Sequence, residues 1–229
     1  MKIALLPLLF VFSITLFAQN ENTSDEFPNA KASYLTFDLA TPVDPIAPRF
    51  RVGYIQSLNK ELRISVDLGY GNESTTVRMY NIDDSDNYRL VEARTEVYYI
   101  FNPTKKVNHY ISGELYFVQH REDIRDDFYK INNSNIRVRY DFAEYEREKY
   151  GFNLKYGVMI PFGTKVGMNI YVGAGPRYRN VTFSNIINLD EYEYHDDDDD
   201  WEFFVGHYRK EGKRYGFNLA FGFKLFYRL

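Results

Sequence analysis

The chain has 229 residues, which suits a single barrel-sized domain, and its formal net charge of -4 gives no basis for nucleic-acid binding. It contains no cysteine, which excludes a disulfide scaffold, a thiolate metal site, a cysteine nucleophile and a lipid-modified N-terminal cysteine. Aromatic residues make up 18%, with 21 Tyr and 19 Phe against one Trp, and Tyr suits a boundary between water and an apolar phase.

Met1-Lys2 is followed by an almost wholly apolar run from Ile3 to Phe17 and then by Ala18-Gln19. A short positive start, an apolar stretch and a small residue at its end predict a signal peptide over 1–18, followed by a polar linker over 19–31. The apolar run is shorter than the roughly 20 residues a spanning helix needs. Residues 32–229 are then the barrel domain. The mean hydropathy of -0.46 does not argue against a membrane barrel, because only every second strand residue of such a barrel meets lipid.

From there the chain falls into eight segments with an apolar residue at alternate positions, the pattern of a strand with two unlike faces. The first two are short: Leu35, Phe37 and Leu39, then Phe50, Val52 and Tyr54. In the third, Leu62, Ile64, Val66, Leu68 and Tyr70 oppose Arg63, Ser65, Asp67 and Gly69. The fourth sets Val91 to Phe101 against Glu92, Arg94, Glu96 and Tyr98, and the fifth sets Ile111, Leu115 and Phe117 against Ser112, Glu114 and Tyr116. The sixth (Tyr150 to Ile160), seventh (Val166 to Ala174) and eighth (Tyr215 to Leu229) carry Gly, Asn and Lys on the second face.

The connections between segments alternate in length. Those at Ser57–Lys60, Asn102–Lys106 and Pro161–Lys165 are short and rich in turn residues. Ala40–Pro48 is Pro-rich, and Gly71–Asn87, His120–Lys149 and Asn180–Lys213 are long, polar and charged. Tight turns at one end and long loops at the other predict an all-β, closed, antiparallel up-and-down transmembrane barrel of about eight strands. Within the long loops, Val138 to Phe142 and Phe203 to Val205 read as extensions of the wall above the membrane. The competing reading is an aromatic contact surface for a partner.

Alternation alone does not decide which face points outward, since a soluble lipocalin-like barrel has the same period. The apolar faces are free of charge over many positions, and the opposite faces mix charge with small residues. Both features favour lipid outside and a filled polar interior, because eight strands leave room only for side chains. Arg63, Asp67, Glu92, Arg94, Glu96, Glu114, Lys155, Arg177 and Lys224 are the expected interior network. These five positive and four negative groups are expected to pair and to staple strands together, rather than to form an ion path.

The end of the chain, Gly222-Phe223-Lys224-Leu225-Phe226-Tyr227-Arg228-Leu229, and the segment Gly173-Ala174-Gly175-Pro176-Arg177-Tyr178 resemble the small outer-membrane barrel proteins of the OmpX and OmpA-barrel type. The chain is especially similar to the Tyr-rich barrels of Bacteroidetes. The resemblance implies that Gly222, Leu225, Tyr227 and Leu229 form an insertion signal for the barrel assembly machinery. Ala220 and the terminal Leu229 depart from the usual pattern. It also implies a monomer in the outer membrane, surrounded by its lipid, with long loops available to an extracellular partner.

Catalytic chemistry is sparse. Lipid A-modifying barrels carry Ser or His at the outer rim, and by that analogy only His120 is well placed. No Ser-His pattern accompanies it, so a solvent-facing rim histidine is the plainer expectation. The run Asp196, Asp197, Asp198, Asp199 and Asp200 offers oxygen ligands for weak cation contact, but lacks the spacing, glycine turn and distal Glu of a calcium loop. No cofactor or resident metal is expected. The functional expectation is a non-enzymatic outer-membrane barrel of structural, adhesive or surface-interaction role, with a lipid A-modifying enzyme and a soluble periplasmic binding barrel as alternatives.

Overall fold

The structure, a computed structural model, describes residues 32–74, 85–131, 136–193 and 210–229. The expected signal peptide and linker, the Asp196–Asp200 run and the stretch from Phe203 to Val205 lie outside the described residues. Among the described residues the strands follow in chain order: β1 (Ser33–Asp38), β2 (Phe50–Ser57), β3 (Leu62–Asn72), β4 (Ser85–Ile100), β5 (Asn108–Lys130), β6 (Ile136–Pro161), β7 (Val166–Ile187), β8 (Asp190–Glu193) and β9 (Gly212–Arg228). Each of β1 to β7 and β9 pairs antiparallel on both sides, and the β5–β6 and β1–β9 pairings close the ring. The short β8 adds to β6 beyond the end of β7, after a positive-φ bulge residue, Asn185, within β7 and a positive-φ Asn188 between the two strands.

Inside this ring the period-2 pattern sorts side chains as the sequence suggests. Leu68, Leu115, Leu154 and Leu219 stand outside with about half or more of their surface exposed, while Asp67, Glu114, Lys155 and Lys224 are buried. The polarity is therefore inverted relative to a soluble barrel, with ions inside and an apolar belt outside.

The long loops expected over 120–149 and 180–213 are largely strand where the structure describes them. β5 and β6 stay paired from Asn108↔Met159 up to Lys130↔Arg137. The reason lies in a switch of parity. On β5 the outward apolar residues are Ile111, Leu115 and Phe117, whereas Val118, Ile124 and Tyr129 point inward and are buried. β4 changes over between Val91 and Leu90, and β7 between Tyr178 and Val181. Above the switch, the wall is an ordinary water-exposed sheet with an apolar core of Ile124, Tyr129, Val138, Tyr140, Tyr145, Val181 and Phe183. Val138 to Phe142 therefore extend the wall. The apolar outer face of β6 from Tyr150 to Ile160, at about 3.3 Å per residue and a tilt of about 40°, gives a belt about 25 Å tall. That height fits the apolar band of a membrane barrel.

One part of the wall is low. β1 ends at Asp38, and the following stretch carries Pro42, Pro45 and Pro48, which cannot donate to a ladder. This stretch folds inward instead. The Asp38 carboxylate accepts hydrogen bonds from the Ala40 and Thr41 amides at 3.0 and 3.1 Å, and Ala47 packs with the inward-facing Tyr88, Leu90, Tyr116 and Val118. As a result β9 pairs with β1 only from Lys224 to Arg228. From Gly212 to Gly222 its one ladder partner among the described residues is β7. The last contact of its other edge is the Leu39 amide on the Phe223 carbonyl at 2.8 Å.

Small interior residues seat large ones. A Cβ added at Gly222 would lie 2.5 Å from the Tyr171 hydroxyl, and one at Gly157 would strike the Tyr110 ring. Tyr110 is wholly buried and donates to Asn169 at 2.8 Å. Gly157→Val should therefore destabilise the barrel by about 1–3 kcal/mol through overpacking. The urea midpoint of refolding into detergent micelles measures this. An unchanged midpoint would show that Tyr110 is not held as described.

Candidate functional site

The lumen is the chemically distinctive part of the molecule. Its middle is a network in which five carboxylates (Asp38, Asp67, Glu92, Glu96, Glu114) meet five cations (Arg49, Arg51, Arg94, Lys155, Lys224). Lys155 Nζ lies 2.7 Å from Glu96 and 2.8 Å from Glu114, and Lys224 Nζ lies 2.9 Å from Asp67. Glu114 also accepts from Arg94 at 2.7 Å and from Asn153 at 2.8 Å. Glu92 is held between Arg49, Arg51 and Arg94, and Arg51 reaches Asp38 as well. Ser112 and Tyr98 donate to the two oxygens of Glu96 at 2.5 and 2.8 Å. Every charge is thus both paired and hydrogen-bonded, which is the condition for keeping ions in a dry interior.

Below the network sits an aromatic layer of Tyr34, Tyr98, Tyr110 and Phe226 with Ile55, Ile100 and Met159. Arg63 lies in this layer. It donates to Asn108 at 3.1 Å and stacks over Tyr34 at 5.3 Å, with no carboxylate in ion-pair range among the described residues. Tyr98, Tyr110, Lys155 and Lys224 are essentially inaccessible to water. The lumen is plugged at this level, since a continuous water column would expose them.

Of the nine residues expected in the interior, Arg63, Asp67, Glu92, Glu96, Glu114, Lys155 and Lys224 are buried, while Arg94 and Arg177 are partly buried, and their pairing differs from the expectation. Arg63 and Arg177 do not join the ion-pair network, and Asp38, Arg49 and Arg51 complete it instead. Those three come from β1, β2 and the Pro-rich connection. His120 is a correction. It is fully buried between Tyr88 and Tyr145, with ring centroids at 5.0 and 5.4 Å and Glu122 at 3.4 Å, rather than exposed at a rim. The paired β5–β6 wall continues past this level, so the imidazole is enclosed by the extended sheet instead of standing at its edge.

At the mouth, Asp44 in the β1–β2 connection bonds Arg49 at 3.1 Å. Burial pushes the Asp44 carboxyl up, but Arg49 and the amides of Ala47 and Ile46 outweigh it and hold it below its ordinary value. This tie is therefore present above the ordinary carboxylate range and is lost as pH falls through the lowered pKa.

Beside the upper part of β9 lies a cavity of about 310 Å³ lined by Arg177, Arg179, Lys210, Arg214, Tyr215, Gly216 and Phe217. Its lining mixes inward residues (Arg177, Arg179, Arg214) with outward ones (Tyr215, Phe217). A second, apolar groove of about 750 Å³ runs along the outer wall past Leu115, Phe117, Tyr150, Phe152 and Tyr178, and it shares Arg177 and Tyr215 with the first. Among the described residues no group of three or more acidic, His or Cys side chains is arranged to hold a metal.

A closed ring of antiparallel strands with ions inside and an apolar, aromatic-edged belt outside defines a membrane-spanning β-barrel with a plugged lumen. No family model matches the sequence, and no curated protein is similar to it. Among solved structures, the chain is similar to CarO of Acinetobacter baumannii, with 9% identity, a TM-score of 0.43, and coverage of 90% of this chain and 99% of that one. It is also similar to a major outer membrane protein from Thermus thermophilus, with 11% identity, a TM-score of 0.43, and coverage of 87% of this chain and 99% of that one.

Proposed function

We propose that the protein is an exported bacterial outer-membrane barrel with a structural or surface-interaction role and no catalytic activity. The observation that carries this reading is the inverted polarity: a lumen of paired ions inside an apolar belt about 25 Å tall. Residues 1–18 would direct export. The apolar, outward-facing Leu225, Tyr227 and Leu229, with Gly222, would present the strand that the barrel assembly machinery receives. The plugged lumen argues against conduction, and the extended β5–β6 hairpin offers the part of the molecule that an extracellular partner would meet. The barrel acts as a monomer surrounded by outer-membrane lipid.

Membrane fractionation with gel migration before and after boiling tests the reading. The protein should sediment with outer membranes, resist extraction without detergent and migrate differently once boiled. Recovery in the aqueous periplasmic fraction would sink it and favour a soluble binding barrel. In planar bilayers the inserted protein should give no steady ion conductance, because the network at Lys155 and Glu114 blocks the lumen. Sustained channel currents would refute the plug.

A further inference from the structure

Among the described residues, the wall beside β9 is open where a membrane barrel should be closed. From Gly212 to Gly222 the strand has a described neighbour on one edge only. The outer face there is the most exposed of the barrel, with Tyr215 at 86%, Phe217 at 75% and Leu219 at 79%. Hydrocarbon supplies no hydrogen-bonding groups to a strand edge, so polar groups are favoured in the notch beside this one. The proline-bearing connection cannot fill it as a strand, for the reason already given. A second copy in the same membrane would present its own β9 running in the same downward sense and tilted the opposite way, which does not build an antiparallel ladder.

The chemistry around the notch is specific. Arg177, Arg179 and Arg214 on the inner side and Tyr215 and Phe217 on the outer side border one cavity, which therefore passes over the edge of β9 at Gly216. Gly216 has no side chain to close it, and a Cβ there would meet only the Arg177 guanidinium, at 3.6 Å. Among the described residues Arg177 makes no ion pair, in contrast to the balanced network below it. The apolar outer groove begins at the same Arg177 and Tyr215. A basic cavity at the level of the aromatic rim, continuous with an apolar groove that descends along the wall, matches a molecule with an anionic head and an acyl tail.

We propose that this lateral notch binds a phosphorylated lipid of the leaflet at the long-connection end. Its phosphate sits among Arg177, Arg179 and Arg214, and an acyl chain lies against Tyr215, Phe217 and the outer groove. The inference rests on the membrane-barrel reading above. Phosphate oxygens accept charge-assisted hydrogen bonds from guanidinium groups in pairs, and a lipid-borne phosphate reaches the cavity sideways without passing the plugged lumen.

Electron spin resonance of the full chain refolded into phosphatidylcholine vesicles tests the site, with spin-labelled phosphatidic acid compared with spin-labelled phosphatidylcholine. Boiling-dependent gel migration of each sample establishes insertion. The inserted protein should retain the phosphatidic acid label in an immobilised component about fivefold more strongly, and Arg177→Gln should remove most of that preference. Lys106→Gln, at the short-turn end, should leave it intact. Equal retention of the two labels by inserted protein overturns the lipid site alone, as does a preference that survives Arg177→Gln. Full displacement by inorganic phosphate at matching concentration overturns it in favour of a free-anion site. Failure to insert overturns both this inference and the membrane reading beneath it.

Discussion

Replacing Lys155 with methionine should lower the unfolding free energy of the barrel by about 3–5 kcal/mol. The ammonium bridges Glu96 and Glu114 at 2.7 and 2.8 Å, and all three side chains are at most 1% exposed. Methionine keeps the length of the stem, so little packing is lost. What remains is two carboxylates with fewer cations between them. Glu114 keeps Arg94 at 2.7 Å, but Glu96 is left with only Ser112 and the Tyr98 hydroxyl. The damage should therefore concentrate at Glu96, and Lys155→Met combined with Glu96→Gln should recover more than half of the loss. Urea titrations of folded fraction in micelles, read by the boiling-dependent gel shift, give both numbers. A useful contrast is Arg121→Ala. Its partner Glu146 is at the same 2.7 Å, yet the two side chains are 59% and 37% exposed. A pair in water contributes little, so this change should cost less than about 1 kcal/mol. Equal costs for Lys155→Met and Arg121→Ala would mean that the lumen is wet and the network is not sealed.

The same contrast between inside and outside explains how much of the molecule could be read from its sequence. Across the middle of the apolar belt the outward residues are mostly apolar and the inward ones mostly polar or small, so β3, the lower half of β4, β6 and β9 declare both their extent and their facing. Asp67, Glu114, Lys155 and Lys224 were legible as lumen residues for that reason. Arg51 and Asp38 were not, because β1 and β2 are short and offer only a few alternate positions each before the chain turns. Arg49 precedes its strand altogether. The upper hairpin was harder still. In Val118 to Lys130 the apolar residues change parity, and a further irregularity at the positive-φ Asp126 shifts the inward set to Asp127 and Tyr129. A reader following one parity sees charged residues on the supposed apolar face and infers a loop. The parity change is a boundary mark instead, since lipid outside becomes water outside at that level. The lateral notch could not be inferred at all, because it depends on which strands fail to meet at the seam.

Placing arginine at Leu154 should cost about 2–4 kcal/mol if the outer wall meets lipid. Leu154 lies midway along the apolar face of β6 and is 60% exposed. Its cross-strand neighbours are Gly113 and Ala174, so a longer side chain meets no steric obstacle. Any penalty must then come from the medium and not from packing. Depth supplies the control. Tyr150 stands on the same face of the same strand at the upper rim, where a charged side chain reaches the headgroups, and Tyr150→Arg should cost no more than about 1 kcal/mol beyond the loss of its ring contact with Phe117. A wall in water would give the reverse order. There Leu154→Arg would fall within about 0.5 kcal/mol of neutral, while Tyr150→Arg would lose the aromatic contact. Refolding titrations of the two variants in phospholipid vesicles therefore discriminate by sign of the difference rather than by absolute size. The assignment of the apolar face to lipid stands on Leu154→Arg being the more damaging of the two.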